Sequence, residues 1–231
     1  MTRDSIHRPP PAAHPRRWGR QAEAQVNDRR LLEAAREVFA ARGAGAPVAE
    51  IARRAGVGIG SLYRRYGSKD ELLRHLYLLA LRQTIASAQT ALDRAGDPWT
   101  ALSDCVQMCV ALRCGALAPL TGTLPETPEV ADARTTALDQ LATLVARAQE
   151  RGAVRADVSA GDVAGLIELF SRSHAASDDA GELAQRRLLA LALDGLRTTT
   201  VEPLPGDPPD AEASTYGRTV GDHSTDPGGG M

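Results

Sequence analysis

The sequence predicts an all-α protein with a small three-helix domain at the N-terminus and a larger helical domain after it. Apolar residues recur at helical spacing through most of the chain, and no segment shows the alternation typical of a strand. Capping residues, prolines and glycines mark where helices begin and end. These signals divide the chain into a tail of residues 1–26, a first domain of 27–73, a second of 74–199 and a tail of 200–231.

Composition sets the broad class of protein. The 231 residues are 43% apolar but only 3% aromatic, so the core must consist mainly of leucine, alanine and valine. No apolar run reaches the length of about 18 residues that marks a transmembrane helix, and the N-terminus lacks the apolar segment of a signal peptide. Three cysteines without paired spacing favour a reducing compartment. We therefore expect a cytoplasmic protein with no cofactor and no metal.

Both ends of the chain have the composition of disordered segments, because they carry too few large apolar side chains to offset chain entropy. Residues 1–26 are rich in proline, arginine and alanine, and residues 200–231 in proline, glycine, aspartate and threonine. Arg16, Arg17 and Arg20 form either a basic arm for a polyanion or part of a solvated tail.

The first domain begins with a helix that stops at Gly43. A second helix follows, with Pro47 as its predicted first residue. Gly56 ends this helix, because glycine adopts the left-handed conformation of a helix terminus at little cost. The small apolar face of the second helix consists of Ile51, Ala52 and Ala55.

The third helix is more polar than a core helix should be. Leu62 and Tyr66, four residues apart, are expected to face inward. Gly58 and Gly60 keep the start of the helix thin, so its backbone can approach another molecule closely. The other faces carry groups that suit a DNA groove and its phosphates, namely Ser61, Tyr63, Arg64 and Arg65. Two short helices joined by a glycine turn are typical of the helix-turn-helix motif, whose second helix enters the major groove.

A fourth helix begins at Ser68, which forms a capping box with Glu71, and is predicted to run to about Asp93. Lys69 lies in its first turn, where a cation is mildly unfavourable against the helix dipole. A phosphate near this terminus would be attracted by both the free amides and the ammonium group. Lys69 therefore indicates a phosphate contact.

Taken together, these residues resemble the signature of TetR-type (tetracycline-repressor-like) bacterial transcriptional regulators. The resemblance covers about residues 28–77 and includes the leading helix. It implies an all-helical homodimer with an N-terminal DNA-binding domain and a larger ligand-binding and dimerisation domain. In such proteins a small-molecule effector usually releases the operator. The matching segments are Ala55-Gly56-Val57, Ser61-Leu62-Tyr63 and Ser68-Lys69-Asp70-Glu71-Leu72.

The resemblance also implies roles for individual residues. Ser61 and Tyr63 would contact phosphates, and Tyr63 would also reach a base edge. Lys69 takes the place of the family's phosphate-binding lysine, and Arg65 takes a place often held by histidine. The residues expected to face bases are Ile59, Gly60 and Arg64.

Two positions depart from the family pattern. Pro47 and Val48 stand where threonine hydroxyls are common, so a phosphate contact there is lost or moved. Tyr66 stands where phenylalanine is common, so its hydroxyl needs a partner or solvent. Arg53 and Arg54, on the second helix, are expected to form a solvated face.

Four further helices are predicted in the second domain, each beginning at a capping residue or a proline. A loop over residues 115–127 has room for one short helix. The four helices begin at Asp97-Pro98, at Thr127-Pro128, at Ser159 with Asp162 and at Asp179 with Glu182, and they end near Arg113, Gly152, His174 and Arg197.

The last two of these helices are the predicted dimer interface. The final helix is apolar on more than one face and needs partners on two sides. The resemblance implies a four-helix interface, in which two-fold symmetry places two reading heads on successive major grooves of a near-palindromic operator. The residues assigned to this interface are Leu166, Phe170, Leu189, Leu193 and Leu196.

The resemblance places an effector pocket among the helices of the second domain. An apolar lining there favours an apolar or amphipathic small molecule, although the same residues would serve equally as ordinary core. Cys105 and Cys109 share a helix face and either sense oxidation or act as small buried apolar residues, the simpler reading. The candidate lining residues are Trp99, Leu102, Cys105, Val106, Cys109, Leu144 and Phe170.

Charge is distributed unevenly along the chain. The whole has 27 basic and 29 acidic residues, but residues 1–70 hold 14 basic against 7 acidic, and residues 71–231 hold 13 against 22. The N-terminal end is therefore the one attracted to double-stranded DNA.

No feature of the sequence supports an enzyme, because it lacks a nucleophile elbow, paired carboxylates, a phosphate loop and metal-ligand spacing. Two interpretations remain open. One is a repressor switched by a small molecule. The other is a DNA-binding regulator controlled by a protein partner or by abundance alone.

Overall fold

The computed structural model describes residues 15–94, 96–122, 124–172, 179–198 and 202–206. These ranges contain nine α-helices and no β-strand, which confirms the all-α prediction. A single 3₁₀ turn, Gly43–Gly45, follows the first helix. The helices are α1 (Pro15–Arg42), α2 (Val48–Ala55), α3 (Ile59–Tyr66), α4 (Lys69–Asp93), α5 (Pro98–Ala111), α6 (Ala118–Thr121), α7 (Pro128–Glu150), α8 (Ala160–Arg172) and α9 (Asp179–Asp194).

The helix starts follow the capping residues that the sequence predicts. The Asp97 carboxylate accepts a hydrogen bond from the Thr100 amide at 3.0 Å, and Thr127 caps α7 in the same way. Ser159 and Asp162 form a reciprocal capping box, each side chain accepting from the other's amide, at 3.2 and 2.8 Å. Side-chain caps of this kind satisfy amides that the helix itself leaves without acceptors.

Three helix starts differ from the expectations. Helix α1 begins at Pro15, so residues 15–26 are helical and not a disordered tail; proline is favoured at a first helical position, and residues 1–14 lie outside the described ranges. Pro47 is the extended N-cap of α2, not its first helical residue. At Ser68 only half of the capping box forms, since Glu71 donates its amide to Ser68 but pairs its carboxylate with Arg74.

The other end of the chain is described only in part. Residues 202–206 are exposed and contain no helix, and the remainder of the predicted C-terminal tail, 207–231, lies outside the described residues. His174, the predicted end of α8, lies outside them as well. Helix α9 ends at Asp194, slightly before the predicted Arg197.

Two main apolar clusters lie at opposite ends of the molecule. The N-terminal cluster contains side chains of α1, α2, α3 and α4, and it includes the fully buried Phe39, Ile51 and Leu62. The C-terminal cluster joins α4, α5, α7, α8 and α9. A small third cluster lies between α4 and α7. Burial of these side chains fixes the angle at which α3 is presented, because close-packed interiors leave little room for alternative placements.

Helix α4 connects the two clusters. Its 25 residues span about 37 Å at 1.5 Å per residue. Leu72, Leu73 and Leu76 belong to the N-terminal cluster, whereas Ala88 and Ala91 belong to the C-terminal one. A tilt of α4 would therefore move the N-terminal cluster relative to the C-terminal cluster.

A second connection runs through the turn between α5 and α6. Leu117 is 1% exposed and packs in the N-terminal cluster. Two residues earlier, Gly115 lies directly on α8, where its amide donates to the Ser171 hydroxyl at 3.2 Å. A Cβ atom at Gly115 would approach the Cα of Glu168 to 2.4 Å, so only glycine permits this contact. The turn thus joins α8 to the core beneath α3.

Candidate nucleic-acid interface

The turn between α2 and α3 has the geometry of a helix-turn-helix. Gly56 adopts the left-handed conformation, with φ 69° and ψ 28°. Its amide donates to the Arg53 carbonyl at 3.2 Å, and the Val57 amide donates to the Ala52 carbonyl at 3.0 Å. Leu62, completely buried, anchors α3 from beneath. The opposite side of α3 is consequently held toward solvent.

That outer side carries the residues that the sequence assigns to DNA contact. Two of them are large and unusually exposed for their type: Ile59 at 46% and Tyr63 at 44%. Lys69 is half-buried at the first turn of α4. The exposed members of the set are Ile59, Gly60, Ser61, Tyr63, Arg64 and Arg65.

The polar groups of this surface are oriented by their neighbours. Arg64 Nη2 donates to the Ser61 hydroxyl at 2.9 Å, which holds both side chains on one exposed patch. Lys69 Nζ donates to the Ala46 carbonyl at 3.4 Å, which directs the ammonium group toward the start of α2. Arg65 forms an ion pair with Asp28 of α1, so part of its charge is already compensated. Arg64 is therefore a stronger candidate than Arg65 for a contact with DNA.

Tyr66, which departs from the family pattern, has a partner for its hydroxyl. It hydrogen-bonds to Arg65, whose guanidinium carbon lies 5.8 Å from the Tyr66 ring centroid. The ring also packs against His75 at 5.4 Å between centroids. Burial raises the pKa of Tyr66, and the positive charge of Arg65 partly opposes that rise. The phenol is neutral and structural.

The arginines of α2 form the solvated face that the sequence predicts. Arg53 and Arg54 are both exposed. Arg54 pairs with Glu37 of α1 at 3.3 Å, and Arg42 pairs with Glu50 at 3.0 Å. Exposed pairs of this kind contribute little to stability.

A cleft of about 1070 Å³ lies in the second domain between α4, α5 and α9. Trp99 and Cys105, two of the predicted pocket residues, line it. The other five predicted residues do not line this cleft, because α5, α7 and α8 turn those side chains toward the apolar core. Leu102, Val106, Cys109 and Leu144 are buried there, and Phe170 packs against the same cluster.

The lining that the sequence interpretation missed is partly polar. On α4, Gln83, Ser87, Thr90 and Arg94 recur at intervals of four, three and four residues and all face the cleft. The sequence alone contains this polar stripe, and it could have predicted the lining of the cleft, because helix residues at that spacing share one side. On the opposite wall are Leu189 and Leu193 of α9.

The three thiols are buried and linked to one another. Cys109 donates to Cys105, which lowers the pKa of Cys105 and raises that of Cys109 to about 12. Cys109 also interacts with Cys114, whose pKa is raised by that interaction and by burial. The Thr84 hydroxyl donates to the Ala80 carbonyl at 3.2 Å. Among the described residues no group of three or more histidine, cysteine or acidic side chains could hold a metal ion. The arrangement fits the simpler reading of buried, mutually satisfied thiols.

Three of the five predicted dimer residues are buried within the single chain. Leu189, Leu193 and Leu196 are less than 8% exposed and pack into the chain's own C-terminal cluster, with Leu166 and Phe170 at its edge. Helix α9 has apolar residues on two sides, and sequence spacing alone does not say which side faces inward. The leucines on the outer sides of α8 and α9 are Leu169, Leu183, Leu188 and Leu191.

Comparison with known proteins agrees with this architecture. Residues 31–76 match the family model for bacterial regulatory proteins of the tetR family, and residues 97–198 match the C-terminal domain of SbtR-like transcriptional regulators. A TetR transcription regulatory protein from Mycobacterium vanbaalenii is 32% identical, with a TM-score of 0.51, and the match covers 77% of this chain and 99% of that one. A bacterial regulatory protein of the tetR family from Rhodococcus RHA1 is 26% identical, with a TM-score of 0.53. That match covers 75% of this chain and 98% of the other.

The ketosteroid transcriptional regulator KstR2 of Mycobacterium tuberculosis shares the fold at 23% identity and a TM-score of 0.56, over 74% of this chain and 96% of that one. The helix-turn-helix on an all-helical body defines a DNA-binding transcription regulator rather than an enzyme. The chain belongs to the TetR family. No helix within the described residues is long and apolar enough to cross a membrane.

Proposed function

We propose that this TetR-family regulator is a homodimeric repressor that leaves its operator when a small amphipathic molecule occupies the cleft. The observation that carries the proposal is the position of the cleft against α4, the helix whose first turn carries Lys69 beside α3. A ligand in the cleft therefore touches the same rigid element that positions the DNA-reading surface.

DNA is bound through the exposed side of α3 and the start of α4. Arg64, Ile59 and Gly60 face base edges, whereas Ser61, Tyr63 and Lys69 contact phosphates. This division is supported by exposure, by the Arg64–Ser61 hydrogen bond and by the open first turn of α3, whose N-cap Gly58 provides no side-chain cap. Uncapped amides at a helix N-terminus favour an anion.

A second copy of the chain covers the outer sides of α8 and α9. Leu188 and Leu191 are 57% and 60% exposed on adjacent turns of α9, and Leu169 is exposed on α8. Exposed leucines concentrated on two neighbouring helices are unusual for an isolated subunit. Two-fold pairing through this surface gives two reading heads for half-sites one helical turn, or about 34–36 Å, apart.

Switching follows from the connections between the two clusters. A ligand shifts the DNA-competent population only by binding one state more tightly than the other. A ligand wedged between α4, α5 and α9 tilts α4 as a lever and changes the separation of the two heads. Crystals of the ligand-bound and DNA-bound dimers should show different separations of the two α3 helices, and equal separations would reject the lever.

A change that fills the cleft tests the effector part of the proposal. Ser87→Trp places an indole in the cleft, so DNA binding should persist while release by an effector found by screening is lost. Thr143→Trp, at an exposed position of α7 away from the cleft lining, is the matched control and should respond like the wild type. Release that is unaffected by Ser87→Trp would instead favour a regulator controlled by a protein partner or by abundance.

A further inference from the structure

We propose that the cleft binds an amphipathic carboxylate, and that the guanidinium group of Arg113 holds the carboxylate. The inference rests on the proposed function, because it names the chemical class of the effector of that same cleft. It is carried by the backbone of Arg113, by the surroundings of its side chain and by the distribution of polar and apolar groups along the cleft.

Arg113 occupies a position that glycine usually takes. Helix α5 ends in a Schellman motif, with the Cys114 amide donating to the Cys109 carbonyl and the Arg113 amide to the Val110 carbonyl, both at 2.9 Å. Arg113 is the left-handed residue of this motif, with φ 54°, and among the described residues no other non-glycine has a positive φ. This conformation costs an arginine about 1–2 kcal/mol. An unfavourable backbone at a cleft is a pointer to function.

The side chain of Arg113 is also incompletely satisfied. Its Nη2 atom is buried and has no hydrogen-bond partner among the described residues. The other two arginines of the cleft differ in this respect, since Arg94 pairs with Asp104 at 3.5 Å and Arg186 pairs with Glu182. A buried cationic N–H without an acceptor is costly, and an anionic oxygen would remove that cost.

A second unsatisfied atom belongs to another residue of the cleft lining. Gln83 Oε1 is buried without a partner among the described residues, and Gln83 lines the cleft. A hydroxyl or N–H group of the ligand would satisfy Gln83.

Beside its polar groups, the cleft also offers apolar surface to the body of a ligand. From Arg113 the cleft follows α5 toward Trp99, and the 14 residues of that helix span about 21 Å. The larger apolar side chains of the lining are Trp99, Met108, Val110, Leu112, Leu189 and Leu193. A charged head at Arg113 and an apolar tail toward Trp99 describe an amphipathic acid.

Arg113 also lies on the connection to the DNA-reading domain. The preceding carbonyl, of Leu112, accepts from Arg36 Nη1 of α1 at 3.5 Å, and Leu117 follows in the N-terminal cluster. A carboxylate that draws the guanidinium of Arg113 therefore acts on a turn that contacts α1 and the core beneath α3.

Direct binding, measured by calorimetry on the full-length protein, tests the proposal. The probes are octanoate, dodecanoate and naphthaleneacetate, each compared with its neutral primary amide. We expect at least one carboxylate to bind about 10- to 100-fold more tightly than its amide, as a charge-assisted hydrogen bond implies. Arg113→Asn, which tolerates the left-handed backbone, should abolish this preference and leave amide binding unchanged.

Matched variants separate charge from folding. Arg113→Lys should keep part of the preference, and Arg113→Gly, which carries no backbone penalty, should lose it as Arg113→Asn does. Arg82→Asn removes an exposed, paired arginine of α4 that does not line the cleft, and this variant should bind like the wild type. The proposal is overturned if no carboxylate binds, if none is preferred over its amide, or if Arg113→Asn and Arg113→Gly keep the preference.

The proposed function can fail separately from this inference. If a carboxylate binds through Arg113 but leaves DNA binding unchanged, the carboxylate site is supported and the proposed release of DNA by a ligand is wrong. If a neutral molecule releases DNA while carboxylates bind no more tightly than their amides, the proposed release by a ligand is supported and the role of Arg113 is wrong.

Discussion

At the scale of single residues, the proposed DNA interface on α3 and the start of α4 has two kinds of contact, those that position the protein and those that read sequence. Arg64 is held by Ser61 on the outer side of α3, and Lys69 lies at the edge, directed by the Ala46 carbonyl. A lysine is a point charge suited to a phosphate, whereas an arginine can present two donors to a guanine edge. The two side chains should therefore respond differently to truncation.

We expect Lys69→Ala to weaken binding to all DNA sequences alike and to reduce the slope of affinity against salt by about one. The reason is the loss of one phosphate contact and its released counterion. Arg151→Ala removes the same charge at an exposed position after α7, beyond the far end of α4, and serves as the control. Fluorescence anisotropy over a range of salt concentrations measures both, and equal slopes for wild type and Lys69→Ala would exclude the phosphate contact.

Arg64→Ala should cost about 1–3 kcal/mol of binding free energy and relax preference at one base position. Competition between operator variants that differ at single positions measures the effect. A loss that is identical for every operator variant would assign Arg64 to the backbone instead of a base.

The helix-turn-helix and the exposed side of α3 could be predicted from the sequence because each motif fixes a short-range geometry. The cleft could not be assigned in the same way. Leu102 and Val106 have the composition of a pocket as well as of a core, and only the rotation of α5 against α7 decides between the two. The backbone of Arg113 gave no sequence signal at all, since arginine is not a residue expected at a left-handed helix end.

At the scale of helices, the contact of Gly115 with α8 holds the turn between α5 and α6 against the C-terminal cluster, while Leu117 of the same turn packs in the N-terminal cluster. A methyl group at this position would meet backbone atoms of α8, which cannot move aside as a flexible side chain can. Helix starts, by contrast, are local and were predictable: the caps at Asp97, Thr127 and Ser159 lie where the sequence indicates. How two helices approach each other depends on residues distant in sequence, and no local pattern revealed it.

Gly115→Ala should destabilise the protein by about 1–3 kcal/mol, the usual cost of overpacking a rigid site. Chemical denaturation monitored by circular dichroism measures the change. Gly122→Ala is the control, because a Cβ at Gly122 meets nothing within 4 Å. Equal midpoints for Gly115→Ala and wild type would show that α8 is not fixed by this contact.

At the scale of the whole molecule, the proposed sequence-specific binding of DNA requires two copies of the chain. The basic N-terminal part binds DNA, and the acidic remainder carries the exposed leucines of α8 and α9 at a distance from it. A single eight-residue helix such as α3 covers few base pairs, so sequence-specific binding depends on two heads acting together.

Leu188→Lys combined with Leu191→Lys should give a monomer that binds DNA far more weakly than the wild type. The two lysines lie three residues apart on one exposed side of α9, where a partner would have to bury their charges. Light scattering after size exclusion gives the molecular mass. Leu204→Lys, at an exposed leucine outside the helices, should leave the dimer intact, and a dimer that survives the double change would place the interface elsewhere.

The most direct test of the central claim is selection of bound fragments from random DNA by the purified protein. The account predicts a two-fold symmetric consensus, with half-sites centred about 10 base pairs or a multiple of that spacing apart and with its preference relaxed in Arg64→Ala. Recovery of no enriched sequence, together with no affinity for any oligonucleotide at low ionic strength, would contradict it.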